Sequence, residues 1–195
     1  SFNRRRGDSR APEIWLRDCF FDLQSVFTAF DGSMLTSAVF GLIAEKTGVL
    51  YFVNAEHPGV VLYRNEAAKF LQLSTDLRKL GVAGMEEGLR VFVHQLEPDD
   101  AVFAGSDGRD DLHTGDEPDG TRRINDNPDV FLRCVERAPH NLPALFEEIT
   151  RHGYLIDDLS LVRLGYLEDA PASARPAPVA TAAAGLLSQG KAAFA

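Results

Sequence analysis

The residues best suited to chemistry are carboxylates at two strand ends. Ser106-Asp107-Gly108 directly follows the apolar run from Ala101 to Gly105, which puts Asp107 at the exit of a buried strand. Asp157-Asp158 directly precedes the strand pattern from Leu159 to Tyr166, which puts both at an entrance. If those strands lie side by side with opposite directions, Asp107, Asp157 and Asp158 meet at one sheet edge. Grouped carboxylates repel unless a cation neutralises them, and hard oxygen donors select Mg²⁺, Mn²⁺ or Ca²⁺ over zinc. A plainer reading stands beside this one, because Asp-Gly is a common turn and an aspartate before a strand is ordinary. An EF-hand is excluded: Asp107, Asp110 and Asp111 lack its alternation, and no glutamate closes the loop.

The elements that must position these groups follow from periodicity. Residues 12 to 30 repeat apolar side chains at helical spacing (Ile14, Trp15, Cys19, Leu23, Val26, Phe27, Phe30), with Pro12 and Glu13 suited to the first turn. The period then changes to that of strands at Met34 to Ala44, Val49 to Ala55, Val60 to Arg64, Phe70 to Leu73 and Leu89 to Leu96. Turns at Glu45 to Gly48, Pro58-Gly59 and Glu97 to Asp100 separate some of them. Residues 107 to 127 are polar and read as a long loop or a loose hairpin. Helical patterns at 128 to 138 and 141 to 152 precede the last strand. Sequential antiparallel strands followed by paired helices indicate an α+β layering and not a doubly wound sheet.

Composition narrows the function classes. The chain has 195 residues, 45% hydrophobic and 25% charged, which suits one globular domain with a tail. A formal net charge of -9 argues against non-specific nucleic-acid binding. No apolar run reaches the roughly 18 residues of a membrane span, and the polar, Arg-rich start is no signal peptide. Cys19 and Cys134 read as buried, reduced, inert thiols, so a cytoplasmic location is expected.

A series of motifs resembles the SpoIIE/RsbU-like branch of the metal-dependent (PPM) serine/threonine protein phosphatases. Asn54-Ala55-Glu56-His57-Pro58-Gly59 is similar to that family's Asn-Ala-Gly-His-Pro-Pro turn, and Leu80-Gly81-Val82 to its Leu-Gly-Val. Leu96-Glu97-Pro98-Asp99-Asp100 resembles Leu-x-Pro-Gly-Asp, Ser106-Asp107-Gly108 resembles Thr-Asp-Gly, and Asp157-Asp158-Leu159-Ser160-Leu161 resembles Asp-Asp-Ile-Thr-Leu. The motifs occur in the family's order and span residues 30 to 166. Each alone is weak; the ordered set is specific.

The resemblance implies an αββα sandwich of antiparallel sheets flanked by helices, with two Mn²⁺ or Mg²⁺ ions at one end. It implies that Asp107 and Asp157 are metal ligands and that Asp158 is a weaker or outer one. The implied chemistry is phosphomonoester hydrolysis, in which a metal-bridged water attacks phosphorus in line with the serine or threonine oxygen. His57 and Arg109 are candidates for a place near the substrate; a backbone-bonded turn histidine and a solvated arginine are the bland alternatives. The other histidines form no ligand-spaced cluster.

This sequence departs from the family in three places. The family's first metal motif, a Gly-Asp before a Gly-rich turn, is matched only by Gly7-Asp8, which lacks that context and reads as polar loop. The expectation is therefore a C-terminal part of the domain over 12 to 168, after a polar segment 1 to 11, with the first strands and helix missing. Glu56 replaces a glycine, and Asp107-Gly108-Arg109-Asp110-Asp111 replaces Asp-Gly-Val-Thr-Glu. Residues 169 to 195 read as an Ala/Pro-rich linker whose end has the spacing of a first tetratricopeptide helix, or of a plain alanine-rich helix.

The expected parent is a bacterial signalling phosphatase with a sensor or regulatory domain upstream. Its expected substrate is a phosphorylated protein of the anti-anti-sigma type, and the fragment alone is expected to be inactive. A non-catalytic module of the same fold that binds regulatory partners is the second reading. A Ca²⁺-binding structural module is the third. A sheet without its first strands leaves an open edge, so self-association is expected.

Overall fold

Period-two alternation, read strand by strand, decides how this chain layers. The computed structural model describes residues 11–72, 77–84 and 88–167; Gly7-Asp8, Leu73 and the segment from 168 on lie outside them. Helix α1 (Pro12–Thr28) leads into β1 (Ala38–Ala44), β2 (Val49–Ala55), β3 (Val61–Arg64), β4 (Ala67–Phe70) and β5 (Phe92–Gln95). Next come β6 (Ala101–Gly105), one 3₁₀ turn at Asp107–Arg109, β7 (Leu112–Asp116) and β8 (Arg122–Ile124). Helices α2 (Asp129–Arg137) and α3 (Leu142–Thr150) precede β9 (Tyr154–Leu155) and β10 (Leu161–Gly165).

One sheet has the order β1-β2-β5 and a second has β10-β6-β3-β4; β8-β7-β9 form a small third sheet. Strand β2 turns Leu50 and Phe52 toward the second sheet, where they pack with Val60, Leu62 and Val102. Its alternate residues Val53 and Ala55 pack on Leu16 and Phe20 of α1. On the far side, Val61, Ala101 and Phe103 face Phe131, Val135, Leu145 and Ile149 of α2 and α3. Three apolar layers separate α1, two sheets and the α2/α3 pair, so the chain is the expected αββα sandwich. Each fully buried aliphatic or Phe side chain contributes about 1.5–3 kcal/mol to holding it.

Local chemistry explains the joints. In α1 the residues Leu16, Phe20 and Gln24 are buried at four-residue spacing. The Gln24 amide donates to the Val82 carbonyl at 2.6 Å and accepts from the Gly81 N–H at 3.0 Å, which ties the helix to the Leu80-Gly81-Val82 segment. Arg64 grips the buried Asp100 with two donors, at 2.9 and 2.6 Å, and so fixes β3 to the turn before β6.

Several sequence expectations need correction. The strand expected at Phe70 to Leu73 is instead β4 at Ala67–Phe70, because Asn65 and Glu66 both take positive φ (51° and 63°) and form a two-residue hairpin with β3. Of the two alternatives for residues 107–127 the hairpin is the one formed, as β7 and β8, while β9 has no sequence signal because two residues carry no period. The expected strand at Met34 shortens to Ala38–Ala44, with Thr36 only bridged to Leu80. Strand β1 ends one sheet and β10 the other, and an apolar groove opens between them.

Candidate metal centre

The pairing on which the carboxylate reading depended is present. Strands β6 and β10 are antiparallel neighbours, with Leu161 opposite Gly105, so the exit of one adjoins the start of the other. Ser106 locks them: its N–H donates to the Ser160 carbonyl at 3.0 Å, its hydroxyl donates to the Asp158 carbonyl at 2.9 Å and accepts from the Ser160 N–H at 2.9 Å. Gly108 must lack a side chain, because a Cβ there would lie 2.5 Å from the Asp158 carbonyl oxygen. The sharp turn and the close backbone approach together account for the Asp-Gly pair.

After Ser106 the chain makes one tight turn. The N–H groups of Asp110 and Asp111 both donate to the Asp107 carbonyl, at 2.8 and 3.0 Å. Asp107 and Asp111 are thus one helical turn apart and share a face. One carboxylate oxygen from each of Asp107, Asp111 and Asp157 lies within 4.8 Å of the others. Asp157 also accepts the Asp158 N–H at 2.7 Å, which fixes its rotamer. The Asp158 side chain stands outside the trio; its carbonyl, taken by Ser106, is what joins the locked edge.

Arg109 turns inward. Its side chain is only 1% exposed, so it is neither a solvated arginine nor one that reaches out to a substrate. It donates to the Gly59 carbonyl at 2.8 Å and to Asp110 at 3.2 Å, and its guanidinium carbon lies 4.2 Å from the centre of the Phe131 ring. Burial lowers its affinity for the proton, and the Asp110 carboxylate works the other way. Burial likewise pushes the Asp110 carboxyl above its ordinary range, against the pull of Arg109. This buried cation clips the Asp107–Asp111 turn to the Pro58-Gly59 turn.

His57 sits on that second turn. The buried Asn54 side chain brackets its backbone, accepting from its N–H at 2.8 Å and donating to its carbonyl at 2.9 Å. Its Nδ1 lies 3.1 Å from the Ser37 hydroxyl. Burial and the nearby Arg109 depress the imidazole pKa, while Asp107 and the Gly105 backbone oppose them, which places His57 beside the exit of β6.

Glu56 and Asp99 stand where the motifs carry glycine, and both have positive φ, 48° and 70°. Aspartate tolerates this region better than glutamate. Glu56→Gly is therefore expected to raise stability by about 0.5–1 kcal/mol, and Asp99→Gly by less, read as a shift in urea midpoint at constant slope. The partly exposed Glu56–Arg78 ion pair lost in the first variant is worth little.

Of the three carboxylates the sequence singles out, Asp107 and Asp157 lie in the cluster and Asp158 does not, and Asp111 joins it unannounced. The signal was there: a carboxylate four residues on, across a Gly-containing turn. Sequence reading assigned no interior role to Arg109, because a charged side chain between aspartates reads as surface.

Comparison with known proteins bears on this site and its frame. Solved structures show the fold to be that of PP2C-type phosphatase domains. The phosphatase domain of the cell fate determinant SpoIIE from Bacillus subtilis superposes with a TM-score of 0.55 at 16% identity, over 86% of this chain and 79% of that one. The RsbU and RsbW domains of a Mycobacterium tuberculosis protein match at 0.63 and 18%, over 80% of this chain and 43% of that one. The SiaA-PP2C domain of Pseudomonas aeruginosa matches at 0.60 and 17%, over 81% and 62%. The sequence pattern of the stage II sporulation protein E (SpoIIE) family matches residues 5–166, and the chain belongs to that family. Among curated proteins none matches it by sequence.

Proposed function

We propose that the chain carries the cation-holding part of a protein phosphatase that hydrolyses phosphoserine or phosphothreonine on a partner protein. The observation behind this is the convergence of Asp107, Asp111 and Asp157 at the edge where β6 ends and β10 begins. The donor set fits a hard divalent ion, being all carboxylate oxygen without nitrogen or sulfur. Mn²⁺ or Mg²⁺ is the natural occupant, and the Bacillus subtilis SpoIIE domain was itself presoaked with Mn. These three carboxylates suit one of the two ions the resemblance implies.

A divalent ion supplies charge stabilisation to phosphoryl oxygens and a more acidic water. The chain's own residues do the positioning. The 3₁₀ turn holds Asp107 and Asp111 on one face, the Ser106 bonds bring Asp157 across to them, and Arg109 fixes the turn from below. His57, held by Asn54 beside the exit of β6, is the side chain placed to meet a phosphomonoester. Asp158 acts through its backbone and as an outer carboxylate.

Bacterial signalling in the cytoplasm is the setting this reading favours, with an anti-anti-sigma-type phosphoprotein as substrate and a regulatory domain upstream in the parent. The Bacillus subtilis SpoIIE structure that includes a fragment of its regulatory domain supports that arrangement. Among the described residues no helix is long and apolar enough to cross a membrane. The single-ion donor set favours a second reading, a non-catalytic module of this fold that binds regulatory partners.

The deciding experiment is Mn²⁺-dependent hydrolysis of p-nitrophenyl phosphate by the chain, by a version extended upstream, and by the extended Asp107→Asn variant. Activity confined to the extended wild type is expected. A folded but inactive extended protein would transfer the assignment to the partner-binding module.

A further inference from the structure

Two sides of the Asp107–Asp111–Asp157 triangle have their own fastening. The Asp107 carbonyl, which accepts from the N–H groups of Asp110 and Asp111, sets the first. The Ser106 bonds to Asp158 and Ser160 set the second, between Asp107 and Asp157. The third side, from Asp111 to Asp157, joins distant parts of the chain, and without it the other two leave the angle between them free.

The small sheet supplies that third side. Strand β7 starts at Leu112, next to Asp111, and β9 ends at Leu155, two residues before Asp157. They pair antiparallel, with Leu112 opposite Leu155 and His113 opposite Tyr154. The pairing runs on to the carboxylates themselves, because the Ile156 N–H donates to the Asp111 carbonyl at 3.4 Å. Leu112 is fully buried, and Leu155 packs against the cluster that holds Leu112, Leu145 and Ile149. On its other flank the Asn125 N–H donates to the Leu112 carbonyl at 2.8 Å and the Asn125 side chain to the Asp110 carbonyl at 3.2 Å. The pair is therefore seated on the core and holds its geometry.

Gly153 decides how closely the two strands approach. A Cβ there would lie 2.6 Å from the His113 carbonyl oxygen and 3.1 Å from both the His113 carbonyl carbon and the Leu112 Cβ. Two of these are backbone atoms and the third belongs to a fully buried side chain, so none can swing aside. The φ of Gly153 lies outside the left-handed region, so the close approach and not backbone freedom accounts for the glycine. Any side chain at this position levers β9 away from β7.

We infer that Gly153 is a positioning residue of the metal centre: by letting β9 close on β7 it sets the separation of Asp111 and Asp157. The inference rests on the cation-binding reading of the trio given above. Asp111 itself agrees with it, being one methylene shorter than the glutamate of the motif it resembles. A short side chain reaches the trio only where its backbone is brought close.

The test is a calorimetric Mn²⁺ titration of Gly153→Ala, with its urea midpoint measured without metal. Binding is expected to weaken about tenfold. Asp111→Glu, whose extra methylene spans the widened gap, is expected to recover most of that loss in the Gly153→Ala background and to weaken binding in the otherwise wild-type chain. A glycine needed only for folding would lower the urea midpoint and show no such recovery. Should Gly153→Ala fail to fold, Ile156→Pro tests the same joint, since it removes the N–H bonded to Asp111. It is expected to weaken Mn²⁺ binding, whereas Ile156→Ala, which keeps that N–H, binds as wild type does. A folded Gly153→Ala or Ile156→Pro that binds Mn²⁺ as tightly as wild type overturns the inference. So does a loss in Gly153→Ala that Asp111→Glu leaves uncorrected. Wild type without saturable binding overturns the metal-centre reading itself, and the inference with it.

Discussion

Replacing Arg109 with methionine is expected to cost about 3 kcal/mol of folding stability, read from urea denaturation. Methionine keeps the apolar stem and removes the guanidinium, so the loss covers its ion pair, its bond to Gly59 and its contact with the Phe131 ring. What remains is the Asp110 carboxylate, only 31% exposed, with its cation gone, and a Gly59 carbonyl without its donor. Breaking one half of a buried ion pair costs about 3–5 kcal/mol; the residual exposure of Asp110 argues for the lower end. Removing both charges is a different matter. Arg109 already carries a buried Nη1 with no hydrogen-bond partner, so its burial is expensive. Arg109→Met/Asp110→Asn is therefore expected to recover most of the loss. A double variant no more stable than Arg109→Met would show that the guanidinium acts through Gly59 and Phe131 and not through Asp110.

Phe131→Ala is expected to cost about 3–5 kcal/mol, the largest effect of any truncation near the site. The ring is fully buried among Val61, Phe103, Leu112 and Leu145, between the second sheet and the paired helices. It is also the surface on which the Arg109 guanidinium rests, at 4.2 Å. A cavity there removes the floor under a buried cation as well as apolar contacts. The two substitutions are accordingly expected to be non-additive, with Phe131→Ala costing less in an Arg109→Met background than in the wild type. Strict additivity in that cycle would separate Arg109 from the core beneath it.

Much of this was legible because periodicity and punctuation agreed. Strands β2 and β6 carry strong apolar runs bounded by Gly48, Ala55, Asp100 and Gly105, and both lie where the sequence puts them. The antiparallel neighbourhood of β6 and β10 was the condition on which the carboxylate reading stood, and the two strands meet it. What was not legible is decided by tertiary contact. Asn65-Glu66 forms a hairpin turn without glycine, so no local signal announces it. Asp111 joins Asp107 only because the chain closes a tight turn between them, and Arg109 is drawn inside by Phe131 and the Gly59 carbonyl, both distant in sequence. Asp158 illustrates the converse. A carboxylate adjacent in sequence to a ligand candidate stays outside the trio, while its N–H bonds the Asp157 carboxylate and its carbonyl is taken by Ser106.

The most direct measurement is a Mn²⁺ titration of the chain by isothermal calorimetry, alongside single Asp→Asn variants at 107, 111, 157 and 158. Saturable binding by the wild type is expected, weakened about tenfold or more by Asp107→Asn, Asp111→Asn and Asp157→Asn and by less in Asp158→Asn. Wild type that shows no saturable binding, or Asp111→Asn that binds as wild type does while Asp158→Asn does not, would contradict the assignment of this edge as the metal centre.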